Sequence, residues 1–163
     1  MQKHIWAKTI LSSYRFLERV SGALDKIIEK KALSSSSMLG SDILTNNTLT
    51  LTDKIIELSE RKITLINLKV LVERALEKIA PNQAQILIKR YFEKQAPEDI
   101  IADGNFSRRT YFRRVQEGEE AFELACASLG FDSQRLEKYL EKENWIKQIK
   151  SSFEKQDKLV CER

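Results

Sequence analysis

Apolar residues recur at intervals of three, four and seven along most of this chain, and that period predicts helices rather than strands. From about Gln2 to Ala32, Ile5, Trp6, Ile10, Leu11, Tyr14, Leu17, Val20, Leu24, Ile27 and Ile28 make one stripe on a long helix. Gly22 weakens its middle without ending it. The period then lapses through K-A-L-S-S-S-S-M-L-G-S-D-I-L-T-N-N-T-L-T, which predicts a flexible serine-rich loop at about residues 33–51. Thr52 or Asp53 can cap a second long helix. Its apolar positions are Ile55, Ile56, Ile63, Ile66, Leu68, Val70, Leu71, Ala75, Leu76 and Ile79, and Pro81 ends it.

Residues 1–80 therefore predict a long helical hairpin, a scaffold that also offers a surface for self-association. Residues 82–130 follow as a module of shorter helices. Gln83 to Lys94 form the first, with Ile86, Leu87, Tyr91 and Phe92 turned inward. Pro97 suits the first turn of the next, which runs to about Asp103. Gly104 and Asn105 can both take positive φ and supply a tight turn. Ser107 caps a longer helix that stops at Gly130. Residues 131–163 predict one C-terminal helix starting at Asp132 or Ser133, with its end frayed beyond about Lys155. The expected fold class is all-α.

Composition agrees with that class: 163 residues, 42% of them hydrophobic, with five glycines and two prolines, suit one helical core. The net charge of +4 says little alone, and its distribution says more. Ser107 to Val115 carries four arginines and no acid, and Gln116 to Glu123 carries four glutamates and no base. Basic charge in the first turns of a helix opposes the macrodipole, so this order costs stability unless an anion is expected there. A solvated helix face would carry its acids first.

Helical phasing from Ser107 at 100° per residue divides this segment into two faces. Tyr111, Val115, Gly118 and Phe122 share one side, which would pack on Ile86, Ile100 and Ile101, while Arg109, Arg113 and Gln116 point away from it. Thr110 and Phe112 lie on the flanks, and Arg108 lies at the exposed start. A helix that reads the major groove needs this separation. Arginine can bond guanine O6 and N7 in pairs, and Thr110 or Phe112 can touch a thymine methyl. The expected base-reading set is Arg108, Arg109, Thr110, Phe112, Arg113 and Gln116. Ser107, Arg114, Lys89 and Arg90 are placed to meet phosphates.

The stretch I-K-R-Y-F-E-K-Q-A-P-E-D-I-I-A-D-G-N-F-S-R-R-T-Y-F-R-R-V resembles region 4 of bacterial sigma factors. It is more similar still to the sigma-region-4-like helix-turn-helix of phage and mobile-element regulators from Gram-positive bacteria, the ArpU and RinA type. The specific likeness covers about Gln83 to Phe122. It implies a DNA-binding transcription regulator, an activator of late or transfer genes that can touch RNA polymerase. The chain departs from the pattern at Gly104, where a core Leu is usual, at Asn105, where Gly is usual, and at Ile101, where a small Ala is common.

Nothing in the chain suggests an enzyme. His4 is the single histidine and reads as a surface residue; there is no phosphate-binding glycine loop, cysteine pair or nucleophile motif. Glu117, Glu119, Glu120 and Glu123 read as a solvated face rather than a metal cluster, and no cofactor is expected. Cys126 reads as a small core residue in a reduced, cytoplasmic protein. No segment resembles a signal peptide or a membrane span. The expected partners are double-stranded DNA, RNA polymerase and a second copy through the long helices. The alternatives are a sigma-like or adaptor protein that binds RNA polymerase or another protein, and a small-terminase-like DNA-packaging subunit.

Overall fold

The computed structural model of the protein describes residues 4–38 and 46–162. The fold is all-α, and no strand occurs among the described residues. In chain order the helices are α1 (Ile5–Met38), α2 (Asn46–Lys78), α3 (Pro81–Leu87), which runs into a π-helical turn (Ile88–Phe92), α4 (Pro97–Gly104), α5 (Arg108–Ser128), α6 (Ser133–Tyr139) and α7 (Asn144–Cys161). No described helix is long and apolar enough to cross a membrane.

The long helices reach further than the serine-rich composition suggests. α1 continues to Met38 and α2 begins at Asn46, so both described ends of the expected 33–51 loop are helical; residues 39–45 lie outside the described residues. Serine costs a helix only about 0.5 kcal/mol per residue. Ser34 Oγ also satisfies itself within α1 by donating to the carbonyl of Lys30 at 3.0 Å. Thr52 and Asp53 sit inside α2 and do not begin it.

The chain divides into two compact units, Met1–Arg15 with Lys69–Arg163, and Phe16–Leu68. This division cuts both long helices. In the smaller unit Leu17 and Leu24 of α1 and Leu58, Leu65 and Leu68 of α2 are buried, and Lys62 Nζ meets Asp25 Oδ1 at 2.5 Å. Of the apolar α2 residues expected inward, Ile56, Ile63, Ile66 and Val70 are exposed.

In the larger unit the first turns of α1 and the last turns of α2 bury Trp6, Ile10, Leu11, Val72 and Ala75, and Ile79 just after α2 is buried too. Trp6, Ile10, Phe122, Cys126, Phe131 and Leu136 surround one small apolar gap, which ties α1 to α5 and α6. Burial pushes the Cys126 thiol up to about 12, as for an inert core residue, and both cysteines are free. The C-terminal segment is two helices where one was expected. Leu140 and Ile146 both reach the core, with Glu143 between them buried and accepting from Trp145 Nε1 at 2.9 Å. α7 then stays helical to Cys161, past the expected fraying point.

α3 does not continue as an α-helix to Lys94. The Glu93 amide bonds the carbonyl of Ile88, five residues back, at 3.0 Å, and Lys94 takes φ 51°. This wider turn carries Tyr91 inward, where its hydroxyl donates to Glu119 Oε1. Glu119, expected on a solvated face, is only 2% exposed. Desolvation raises its carboxyl pKa, although the Tyr91 hydrogen bond, Lys8, Arg90 and His4 pull the other way. His4 is half-buried with its Nδ1 2.5 Å from Glu123 Oε2, so neither it nor that glutamate is the free surface group expected.

A carboxyl whose folded pKa is raised binds its proton more tightly folded than unfolded, so its share of stability is present at low pH and lost as pH rises through the folded value. We expect stability to fall as pH rises from the ordinary glutamate range through the raised value of Glu119. Glu119→Gln, which keeps an oxygen acceptor for Tyr91, should flatten that slope; urea unfolding of both forms across acidic to neutral pH measures it.

Candidate nucleic-acid interface

α4, a three-residue turn and α5 form a helix-turn-helix in the larger unit, with α3 and α4 both packed on α5. Pro97 opens α4, where a missing N–H and preset φ cost nothing. Its end is set by Asn105 alone, at φ 50° and ψ 47°, while Gly104 remains within the helix. Asn tolerates this left-handed conformation better than most residues. Gly104 serves a different need: a Cβ there would stand 1.9 Å from Cε1 of the Phe106 ring.

Ser107 caps α5 as expected, its Oγ accepting from the Thr110 amide at 3.1 Å and lying 2.9 Å from Thr110 Oγ1. Phe106, just before the cap, stacks on Tyr111, the fourth residue of the helix, with ring centroids 6.5 Å apart. That is a hydrophobic staple, which fixes the angle at which the chain enters the helix. Phe106 was not among the expected site residues, although an apolar residue before a serine cap with another at the fourth helical position is a readable signal.

The inner face of α5 matches the phasing. Tyr111, Val115, Gly118 and Phe122 are buried, as are Ile86 and Ile100 opposite them, and Ile101 is half-buried. At Gly118 a Cβ would lie 3.3 Å from Leu87 Cγ, so α3 approaches closely there. The far end closes at Gly130, whose φ of 93° lets the Phe131 amide bond the Cys126 carbonyl at 2.9 Å.

The outer face presents Arg108, Arg109, Phe112, Arg113, Arg114 and Gln116 to solvent. Arg109 makes no hydrogen bond or ion pair with the described residues. Arg113 Nε lies 3.8 Å from Glu117 Oε1, an exposed i,i+4 pair that adds a few tenths of a kcal/mol, ~0.3, at most. Arg108 lies 5.6 Å from the ring centroid of Phe112, and Arg114 4.9 Å from that of Phe106. Ser107 is exposed at the helix start. Thr110 is half-buried and shares its hydroxyl with Ser107, so its methyl is the part left for contact.

The two expected phosphate ligands outside α5 differ. Lys89 is half-buried in the π turn. Arg90 is turned inward: its Nη1 donates to the Tyr111 hydroxyl at 2.9 Å, and its guanidinium lies 5.6 Å and 5.9 Å from the Tyr91 and Tyr111 ring centroids. Desolvation works against this charge, but Tyr91, Tyr111 and Glu119 outweigh it and hold the arginine pKa above its usual value. Arg90 therefore holds α5 in place instead of facing a ligand. Among the described residues no cluster of His, Cys, Asp and Glu is arranged to hold a metal ion.

No protein-family model, curated protein or solved structure matches the chain.

Because the Phe106 ring occupies the space a Cβ would need, Gly104→Ala should displace it from Tyr111 and Arg114. The expected loss is about 1–3 kcal/mol, the usual cost of overpacking, against the ~1 kcal/mol gain that alanine otherwise brings to a helix. Thermal unfolding measures the balance, and a raised melting temperature would refute the steric account.

Proposed function

We propose that this chain is a sequence-specific DNA-binding transcription regulator that reads the major groove with the N-terminal half of α5. The observation that carries this is the division of α5. One face is anchored in a core, while the opposite face holds four exposed arginines in its first two turns, with Arg109 unpaired among the described residues. Arg109, Arg113 and Gln116 would read base edges, with Arg108, Thr110 and Phe112 beside them. Ser107, Arg114 and Lys89 would meet phosphates. The assignment to activation of phage or mobile-element genes, and to contact with RNA polymerase, rests on the sequence resemblance alone.

A single helix-turn-helix makes few phosphate contacts, and two copies on two half-sites are the usual remedy. We infer a homodimer formed through the long helices.

Selection of bound sequences from random DNA supplies the site on which the reading is tested. Arg109→Ala with Arg113→Ala should cost about 1–3 kcal/mol per lost base contact and abolish preference for that site. Arg114→Ala should weaken binding to all sequences alike and reduce the salt slope by about one. Full sequence discrimination in the Arg109/Arg113 double variant would refute the assignment. Negligible, salt-insensitive DNA binding alongside a stoichiometric RNA polymerase complex would establish the adaptor alternative.

A further inference from the structure

α2 carries two apolar faces within the smaller unit, and its core uses only one. Leu58, Leu65 and Leu68 are buried. Leu49, Ile56 and Ile63, each seven residues apart, are 57%, 51% and 56% exposed, and Ile66, three residues on, is 44% exposed. At 100° per residue Ile56 and Leu58 stand about 200° apart, so these are opposite sides of one helix. Seven-residue recurrence keeps Leu49, Ile56 and Ile63 within about 40° of one line, which is the seam geometry of a coiled coil.

We propose that this stripe is a homotypic seam on which the α2 helix of a second copy packs, parallel and in register. The proposal deepens the two-copy part of the proposed function by naming the surface. The seam positions 49, 52, 56, 59, 63 and 66 hold Leu, Thr, Ile, Ser, Ile and Ile, with no charge among them. A stripe with neither acid nor base suits its own copy better than a charged surface. Two of the three seven-spaced positions, 56 and 63, hold β-branched isoleucine, a residue that parallel paired helices accept there. In that arrangement the flanks set Ile55 beside the second copy's Glu60 and Lys62 beside its Asn67, so no like charges meet. Antiparallel packing would instead bring Asp53 against the second copy's Glu60.

The four side chains leave roughly 400 Å² of apolar surface in water, within the range of the largest patch on a typical monomer. A specific interface buries ~800 Å² per partner, so the flanking side chains of the seam must be buried together with the stripe.

Sedimentation equilibrium of the full chain without DNA tests the seam. The native chain should be dimeric at micromolar concentration. Ile56→Lys with Ile63→Lys should raise the dimer dissociation constant about 100-fold or more, as loss of central apolar anchors does, with unchanged helical circular dichroism because both residues are exposed. In a Cys161→Ser background, Ser59→Cys on the seam should oxidise to a disulfide-linked dimer, whereas Glu57→Cys on the flank should not. A monomeric native chain, a dimer indifferent to the double lysine change, or cross-linking at residue 57 but not 59 would each overturn the proposal. If the lysine variant unfolds, the cysteine pair decides. DNA binding by the native chain is measured separately, so a native chain that is monomeric yet binds DNA refutes the seam and leaves the DNA reading standing.

Discussion

Arg90 and Tyr91 are neighbours in the chain, yet their polar ends meet α5 at Tyr111 and Glu119, eight residues apart. Eight residues of α-helix span about 12 Å, so the two bonds hold α5 at two separated points. A rotation or slide of α5 would leave buried polar groups unpaired, at about 1–3 kcal/mol each. The outward direction of Arg109, Arg113 and Gln116 depends on this restraint, since a rotation of one residue would send a different set toward solvent. With more residues per turn than an α-helix, the π turn narrows the angle between these neighbouring side chains, so that both face α5.

Much of the helix-turn-helix was legible because its signals are local. Pro97 at a first helical position, Asn105 in a turn, Ser107 as a cap and Gly130 as a stop each express chemistry that acts within a few residues. The two faces of α5 were legible for a related reason. Polar and apolar residues alternate there with one clear period, and a single core face satisfies it. Phe106 adds a feature that only three dimensions disclose. In the pattern that this segment resembles, position 104 carries a core leucine; here Gly104 leaves room and the Phe106 ring fills it.

Elsewhere the pattern was ambiguous or silent. α2 superposes two stripes, and the isoleucines at 56, 63 and 66 are as hydrophobic as the leucines at 58, 65 and 68. Periodicity alone cannot say which stripe meets the core, and the chain buries the leucines. Glu119 sits in an acidic run and carries no local sign that a tyrosine 28 residues earlier will bury it. The π turn has no composition signal, because one extra residue per turn is selected by tertiary partners instead of by propensity. The same holds for the split between α6 and α7, which follows from Leu140 and Ile146 both reaching the core.

The arrangement of positive charge on α5 has an energetic consequence of its own. Arginines in the first turns of a helix face its positive dipole end, at a cost of about 0.3–1 kcal/mol for each nearby charge. Arg90 does not add to that outer field, because Tyr111 and the Glu119 site engage it internally. The stacking of Arg108 on Phe112 and of Arg114 on Phe106 restrains two guanidiniums before any ligand arrives, which lowers the entropy lost on binding. An anion at this end would relieve both the dipole mismatch and the mutual repulsion of the arginines. Binding an anion here would therefore stabilise the helix as well as the complex, which couples the folding of α5 to its proposed partner.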